Sequence, residues 1–303
     1  MALNSINTNI NAQIALQSLN QTNAQLQTTQ KRISTGYRVA DATDDGGAFA
    51  VAQRVRADVS ALTTVNSQLG NAKGLVTTAV NGLTSVSNSL TTAKGLLVQI
   101  GDASISQTQR DQYVASYKSL VEQVANAVDG STYNGQTLLG SASGAVAGTD
   151  KHVITNEDGA SSTLSAEDVS GLASTLAGLI GATFSRSATG ADTWTAAAAG
   201  SDQTAASLAL TATSGTTSFA AAETSVSNML NQAGADSNFL DSMVTFNSNK
   251  MDSLNSGLGS LVDADLTKES ANLQALQTRQ QLATQALSMA NQSPQILLSL
   301  FKG

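Results

Sequence analysis

Residues 55–100, VRADVSALTTVNSQLGNAKGLVTTAVNGLTSVSNSLTTAKGLLVQI, carry an apolar residue at every seventh position without interruption. A companion position three residues later is apolar in six of its seven occurrences. Such a heptad repeat predicts one α-helix of about fifty residues whose apolar stripe packs against other helices. The first stripe, which we expect to form the core of a helical rod, consists of Val55, Leu62, Leu69, Val76, Leu83, Leu90 and Leu97.

Amphipathic segments precede and follow this helix. The first occupies the N-terminus and ends at Gly36, since glycine readily adopts the left-handed conformation that caps a helix. After a break at Gly101, residues 107–128 repeat apolar positions at helical spacing and predict another helix. The apolar positions of the N-terminal helix are Leu3, Ile6, Ile10, Ile14, Leu19, Leu26 and Ile33.

Helical periodicity returns at about residue 221 and continues to the C-terminus. Asn247 interrupts a stripe in which the other positions are apolar. Because both terminal thirds of the chain predict long helices, we expect them to lie antiparallel. The returning stripe adds Val226, Leu240 and Leu254 to the rod core, and the last helix carries Leu266, Leu273, Leu276, Leu287, Leu297 and Leu300.

The middle of the chain, residues 135–220, is dominated by Gly, Ala, Ser and Thr and lacks heptads. Residues 152–155 and 207–211 have the pattern of short strands, and Ser165 with Asp168 predicts a capping pair ahead of one short helix. We therefore predict a mainly α fold, a long antiparallel helical rod or coiled coil formed by the N- and C-terminal regions, with a small mixed α/β outer domain inserted between them. A flexible, exposed insertion is the alternative for the middle.

Composition excludes several classes of function. The 303 residues carry a net charge of −7, which argues against nucleic acid as a partner. No apolar run approaches twenty residues, so no membrane span is expected. There is no cysteine, hence no disulfide and no thiolate chemistry. The N-terminus lacks the pattern of a cleaved signal peptide, so we expect a cytosolic protein or one exported by another route.

Both ends of the chain are devoid of charge. Residues 1–30 and 280–301 contain no Asp, Glu, Lys or Arg and are rich in Asn, Gln, Ser and Thr. Termini of soluble proteins are usually frayed and dispensable. Uncharged, amphipathic ends instead indicate surfaces that become dehydrated against other protein. We therefore predict that the apolar residues of both terminal helices form an assembly interface.

No residue pattern predicts catalysis, a cofactor or a metal. His152 is the single histidine, and with no cysteine it lacks the partners of a metal site. The serines lack a histidine base for a hydrolytic triad. We expect the paired acids at 44–45 and at 263 and 265 to be helix-terminal charges or ion-pair partners of Arg32, Arg38, Arg54 or Arg56. The sequence thus predicts a protein that is not an enzyme.

Several short blocks, in order at both ends, resemble the signature of bacterial flagellins. They are RISTGYRV at 32–39, ATDD at 42–45, QR at 53–54, YNGQ at 133–136, DAD at 263–265, ESANL at 269–273 and ANQSPQ at 290–295. The resemblance covers about 1–140 and 221–303. The polar residues that carry it are Arg32, Gly36, Arg38, Asp44, Asp45, Arg54, Asn134, Gly135, Asp265, Glu269 and Asn272.

The resemblance implies a structural subunit that self-assembles into the extracellular flagellar filament for motility, after export in an unfolded state through the flagellar secretion channel. It implies an inner coiled-coil domain from 1–41 plus 261–303, a helical rod domain from 42–134 plus 221–260, and a variable outer domain from 135–220. The partners implied are many copies of the chain itself, with sister flagellins, junction and cap proteins, and an export chaperone at the C-terminal helix as further candidates.

One departure from the family concerns a receptor. Residues 90–99 line up with the helix that many flagellins present to a toll-like innate receptor, and receptor-stimulating members have an arginine at the place of Thr92 and a glutamate at the place of Gly95. Without these charged anchors we expect weak or absent activation.

Two other functions stay open from the sequence alone. A hook–filament junction protein resembles flagellin at both ends. A secreted coiled-coil adhesin acting through residues 140–220 is the alternative from a different class, although its low aromatic content disfavours sugar stacking.

Overall fold

The structure, a computed structural model, describes residues 9–142, 148–169, 171–195, 198, 200–212 and 218–301, with side chains described as far as residue 292. The chain divides into two compact units, residues 1–60 with 251–303 and residues 61–250. The helices are α1 Ile10–Thr35, α2 Gly46–Gly101, α3 Gln107–Gly130, α4 Leu172–Gly178, α5 Ser201–Thr211, α6 Phe219–Val262 and α7 Leu266–Phe301; the strands are β1 Lys151–Ile154, β2 Ser161–Leu164, β3 Thr183–Arg186 and β4 Asp192–Thr195.

The heptad stripe of α2 forms the centre of the 61–250 unit. Five of its leucines and valines have no exposed surface, and α3 and α6 contribute their own apolar faces to the same core. Within this unit α6 runs antiparallel to α2, because Lys73 pairs with Asp241 at 2.5 Å and Lys94 with Glu223 at 3.0 Å. The stripe residues buried here are Leu62, Leu69, Val76, Leu83, Leu90, Leu97, Val226 and Leu240, whereas Val55 and Leu254, in the other unit, are half-buried.

The middle of the chain forms two small antiparallel hairpins, β1–β2 and β3–β4, together with the short helices α4 and α5. Side chains of α3 hold this region. The buried Tyr117 hydroxyl donates to the Leu176 carbonyl at 3.0 Å, and the Trp194 indole N–H donates to Glu122 at 2.8 Å. Arg186 binds both oxygens of Asp192 in a bidentate contact. The predicted class, long helices with a small mixed region, is confirmed.

Two local predictions are wrong. The 207–211 segment is the end of α5 and not a strand, because Ala206 and Ala209 are buried at helical spacing and outweigh the short alternation. Ser165 and Asp168 do not cap α4, which begins after Gly171 without a side-chain cap. The segment before α4 bonds its backbone to residues 138–139 instead, through the N–H groups of Glu167 and Val169.

Asn247, the polar interruption of the α6 stripe, is fully buried. Its side-chain amide donates to the carbonyl of Thr155 at 3.0 Å, at the end of β1. One turn further on, Lys250 pairs with Glu157 in the β1–β2 turn. The interruption therefore is the position at which the first hairpin attaches to α6.

Glu167 is a buried acid, 8% exposed, in the segment before α4. Burial, followed by the nearby negative charge of Asp236, raises the pKa of the Glu167 carboxyl from 4.5 to about 7. Burial likewise raises the pKa of Asp236. Between pH 4.5 and 7 the folded chain therefore retains a proton at Glu167 that the unfolded chain has released, so stability falls as pH rises through this window.

We expect Glu167→Gln to remove this pH dependence, because the amide cannot ionise. The melting temperature of the variant should rise relative to that of the full natural chain as the pH increases from 5 to 8, measured by circular dichroism. Asp252→Asn, at an exposed acid of α6, is the control. An unchanged difference between Glu167→Gln and the natural chain across this range would contradict the assignment.

Candidate assembly surface

Helices α1 and α7 form an antiparallel pair within the unit of residues 1–60 and 251–303. The Asn9 side chain caps α1 by accepting from the Ala12 N–H at 3.0 Å, and its amide donates to the Ala290 carbonyl at 2.8 Å. Midway along the pair, Gln280 donates to Asn23 at 2.8 Å. Side-chain amides thus connect the two helices at one end of the pair and near its middle.

The facing positions of α1 and α7 follow alternating steps of three and four residues, as in a coiled coil. We call these positions the terminal seam. Few side chains of the seam are fully buried. Within the described part of the chain, the seam residues with 9% exposure or less are Thr22, Thr29, Glu269 and Leu276. The seam residues are 12, 15, 19, 22, 26, 29 and 33 on α1 and 269, 273, 276, 280, 283, 287 and 290 on α7.

The structure divides the predicted interface residues into two groups. Leu19, Leu26, Ile33, Leu273, Leu276 and Leu287 lie on the terminal seam, buried or half-buried against the partner helix of the same chain. Ile10, Ile14 and Leu266 lie off the seam and are 41%, 60% and 49% exposed. Leu3 and Ile6 lie outside the described residues, and Leu297 and Leu300 lie where the structure describes the helix without its side chains.

Sequence reasoning missed three further exposed apolar residues on these helices, namely Leu16, Leu282 and Met289. They stand outside the heptad that selected the interface, so periodicity gave no reason to choose them. Their exposure means that the α1–α7 pair retains apolar surface on more than one side after the seam has formed.

An ion pair lies at one end of the seam. Arg32 contacts Glu269 at 3.1 Å, and the Glu269 side chain is only 11% exposed. One oxygen of this carboxylate, Oε2, is buried with no hydrogen-bond partner among the described residues, as is Nε of Arg32. A buried pair that is only partly hydrogen-bonded contributes little net stability by itself.

The glycine–arginine part of the signature joins α1 to the α6–α7 turn. Gly36 has a φ of 74°, the left-handed conformation expected of a helix cap, and its carbonyl accepts from the Ala264 N–H at 2.9 Å. The Arg38 N–H donates to the Val262 carbonyl at 2.7 Å, and its guanidinium donates to the Leu261 carbonyl at 2.5 Å. These bonds hold Val39 against Val262 in a small buried cluster.

The acidic residues of the signature lie just before α2, and the side chain that forms ion pairs with them is a lysine, not an arginine. Lys31 binds Asp41 and Asp44 at 2.6 and 3.0 Å, so the predicted pairing of Asp44 with an arginine is wrong. Hydrogen bonds from Lys31 and then from the Ala40 N–H lower the pKa of the Asp44 carboxyl. Asp45 accepts from the Ala48 N–H at the start of α2, as a helix-terminal charge.

The remaining signature residues are dispersed. Asn134 and Gly135 form the centre of a tight turn with φ of 50° and 73°, closed by two bonds between Tyr133 and Gln136. Asp265 accepts from the N–H groups of Thr267 and Lys268 at the start of α7. Arg54 and Asn272 are exposed. The signature therefore builds turns and helix ends, and it does not converge on one chemical centre.

The described residues contain no group of three or more His, Cys, Asp or Glu that could hold a metal ion. Nδ1 of His152 lies 3.0 Å from the Thr163 hydroxyl across the first hairpin. No helix in the described ranges combines the length and apolarity needed to cross a bilayer.

Comparison with known proteins gives matches at both ends and over the whole chain. The model of the bacterial flagellin N-terminal helical region matches residues 6–143, and that of the C-terminal helical region matches residues 217–301. Flagellin FljM of Caulobacter vibrioides is 37% identical over 312 residues, covering all of both chains. A flagellin of Brucella melitensis is 34% identical over 299 residues, covering 99% of each. Flagellin C of Rhizobium meliloti is 30% identical over 329 residues, covering 99% of this chain and all of that one.

We expect Leu276→Asp to open the α1–α7 pair, because it places a charge at the 9%-exposed centre of the terminal seam. Limited proteolysis of the monomer should then cut within residues 10–35 at least about tenfold faster, as local opening governs cleavage. Leu282→Asp, the same change at a position 61% exposed on the same helix, is the control. Equal cleavage rates for both variants would rule out the seam as the contact that orders α1.

Proposed function

This chain belongs to the bacterial flagellin family, and we propose that the α1–α7 pair is the part through which its copies join. It is a structural subunit of the flagellar filament, serves motility and is not an enzyme. Its main partner is further copies of itself, in the extracellular filament. The observation that supports a role for α1–α7 is the thin seam, which leaves exposed apolar residues on helices whose stretches 10–30 and 280–301 carry no charge.

The physical basis of assembly is dehydration of these helices by neighbouring copies. Fully burying a leucine or isoleucine contributes roughly 1.5–3 kcal/mol, whereas ordering each backbone residue costs about 1–2 kcal/mol. The terminal seam of a single chain leaves most of its apolar side chains half-exposed. The α1–α7 pair of one chain therefore gains little free energy from burial by itself. Several neighbouring chains that cover one another's terminal helices would gain more. Uncharged ends permit this close approach without repulsion between like charges.

We assign three regions to this assembly. Residues 1–41 and 261–303 form the inner coiled coil, 42–134 and 221–260 the surrounding helical rod, and 135–220 the outer domain. Support comes from two residues at which the chain turns between helices: Gly36 lies at the C-terminal end of α1, and Asp265 lies at the start of α7. The same proposal assigns the apolar residues predicted on the two terminal helices to the assembly interface, and the heptad residues predicted on α2 and α6 to the core of the helical rod.

Export and the minor partners complete the proposal. The chain passes unfolded through the flagellar secretion channel, which its lack of disulfides permits. Sister flagellins, junction and cap proteins, and an export chaperone at the C-terminal helix are its other partners. The family matches and the relatives described above are flagellins, so they give no support to the junction-protein or adhesin alternatives.

Deleting residues 1–30 should leave a soluble monomer that no longer forms filaments, because it removes most of α1 and with it the seam partner of α7. Seeded polymerisation followed by electron microscopy, with the full chain alongside, measures this. The full chain should give long hollow filaments. Filaments from the truncated chain would contradict assembly through α1–α7, and failure of the full chain would contradict the filament function itself.

A second prediction concerns the innate receptor. Thr92 and Gly95 are exposed on α2, and a side chain at Gly95 would meet nothing within 4 Å. We expect weak activation in a receptor reporter assay and a gain of at least about tenfold for the double change Thr92→Arg with Gly95→Glu, since it adds charged anchors. Gly70→Glu, at another open glycine of α2, is the control. A full response to the natural chain would refute this.

A further inference from the structure

A groove of about 590 Å³ runs along one flank of the terminal seam. We call it the terminal groove. Its lining combines small apolar residues with long polar ones at the edges. The residues that matter here are Ala24, Ala275 and Leu276, which supply its apolar surface, and Gln25, Arg32 and Arg279, which supply polar edges.

The terminal groove contains a buried acceptor with an unmet hydrogen bond. Glu269 lines the groove and is 9% exposed, and its Oε2 has no hydrogen-bond partner in the described part of the chain. Leaving a buried acceptor unsatisfied is destabilising, and more so when the group is charged. The site therefore favours an occupant that brings a hydrogen-bond donor.

The opposite flank of α1 carries a matching surface. Leu16 is 47% exposed and lies nine residues before Gln25. Nine residues are about two and a half helical turns, so the two side chains point to opposite sides of the helix. Asn20, Asn23 and Gln27 follow Leu16 at steps of four, three and four residues. This surface, the Leu16 flank, is uncharged and rich in amide donors.

We propose that in the filament a neighbouring copy places its Leu16 flank in the terminal groove, with a side-chain amide of that flank donating to Glu269 Oε2. This inference rests on the proposed function, since it requires assembly through α1–α7. The alanines leave room for the leucine, the amide supplies the donor that Glu269 lacks, and an uncharged flank approaches Arg32 and Arg279 without repulsion between like charges. A groove on one flank and its occupant on the other make a heterologous contact, which repeats from copy to copy without a two-fold axis.

Disulfide cross-linking tests this contact cleanly, because the natural chain has no cysteine. The test variant carries Leu16→Cys and Ala275→Cys, both at exposed positions. The control carries Leu16→Cys and Thr278→Cys, since Thr278 is exposed on α7 but does not line the groove. Each is polymerised under reducing conditions, oxidised, dissociated and examined by denaturing electrophoresis, with soluble monomer oxidised in parallel.

Filaments of the test variant should give a ladder of dimers, trimers and longer cross-linked chains. These cross-linked species should be at least about tenfold more abundant than those from filaments of the control. Soluble monomer should give no ladder. Loss of polymerisation in the test variant alone would also support the contact at Ala275. Filaments of the test variant that yield no ladder, or dimers alone, would overturn the inference while leaving the filament function intact. A natural chain that never polymerises would instead contradict the proposed function.

Discussion

Burial of the α2 heptad stripe is the interaction on which the rest of the 61–250 unit depends. Leu69, Val76 and Leu83 have no exposed surface, and α3, α6 and the small middle elements all contribute residues to the same core. Removing one such leucine would typically cost about 2–5 kcal/mol, a large share of the stability of an ordinary domain. This unit has the dense packing expected of a region that is folded before it meets a neighbour.

The α1–α7 pair has the opposite character. Its seam follows a heptad spacing, yet threonines occupy two of its most buried positions and most of its apolar residues stay half-exposed. Amide contacts such as Gln280 with Asn23 add direction but little net stability, because water competes for the same groups. The 61–250 unit therefore has a dense core of its own, whereas the terminal helices keep apolar surface that the proposed assembly would cover.

The polar chemistry of the terminal pair is consistent with this division. In the Arg32–Glu269 pair the carboxylate is largely buried but incompletely hydrogen-bonded, which is costly in an isolated chain and would become less so if a neighbour supplied a donor. Lys31, in contrast, satisfies Asp41 and Asp44 within the chain. The acids paired by Lys31 therefore lie between α1 and α2, whereas the unsatisfied oxygen of Glu269 lies in the terminal groove.

The sequence by itself determined the long helices, the C-terminal ends of α1 and α2, and the family. Heptads in α2 and α6, Gly36 as a cap, and the break after Gly101 are local signals that depend on spacing and backbone conformation alone. The short elements in the middle of the chain were harder to predict. The alternation at 207–211 is compatible with a strand, and only the burial of Ala206 and Ala209 in the structure shows that this segment is a helix. Tertiary structure was also needed to explain Asn247, since its partner, the Thr155 carbonyl, lies 92 residues away.

The assembly surface shows the same boundary between local and long-range information. Periodicity selected apolar residues of α1 and α7 as one set, because it reports which positions share a helix face and not what that face meets. Only the three-dimensional pairing separated Leu276, buried within the chain, from Ile14 and Leu266, which stay exposed. The terminal groove and the unmet acceptor of Glu269 likewise exist only once residues some 240 positions apart lie side by side. Spacing along a chain determines a helix and its stripe, whereas the surface left for a neighbour depends on which stripes have already been covered.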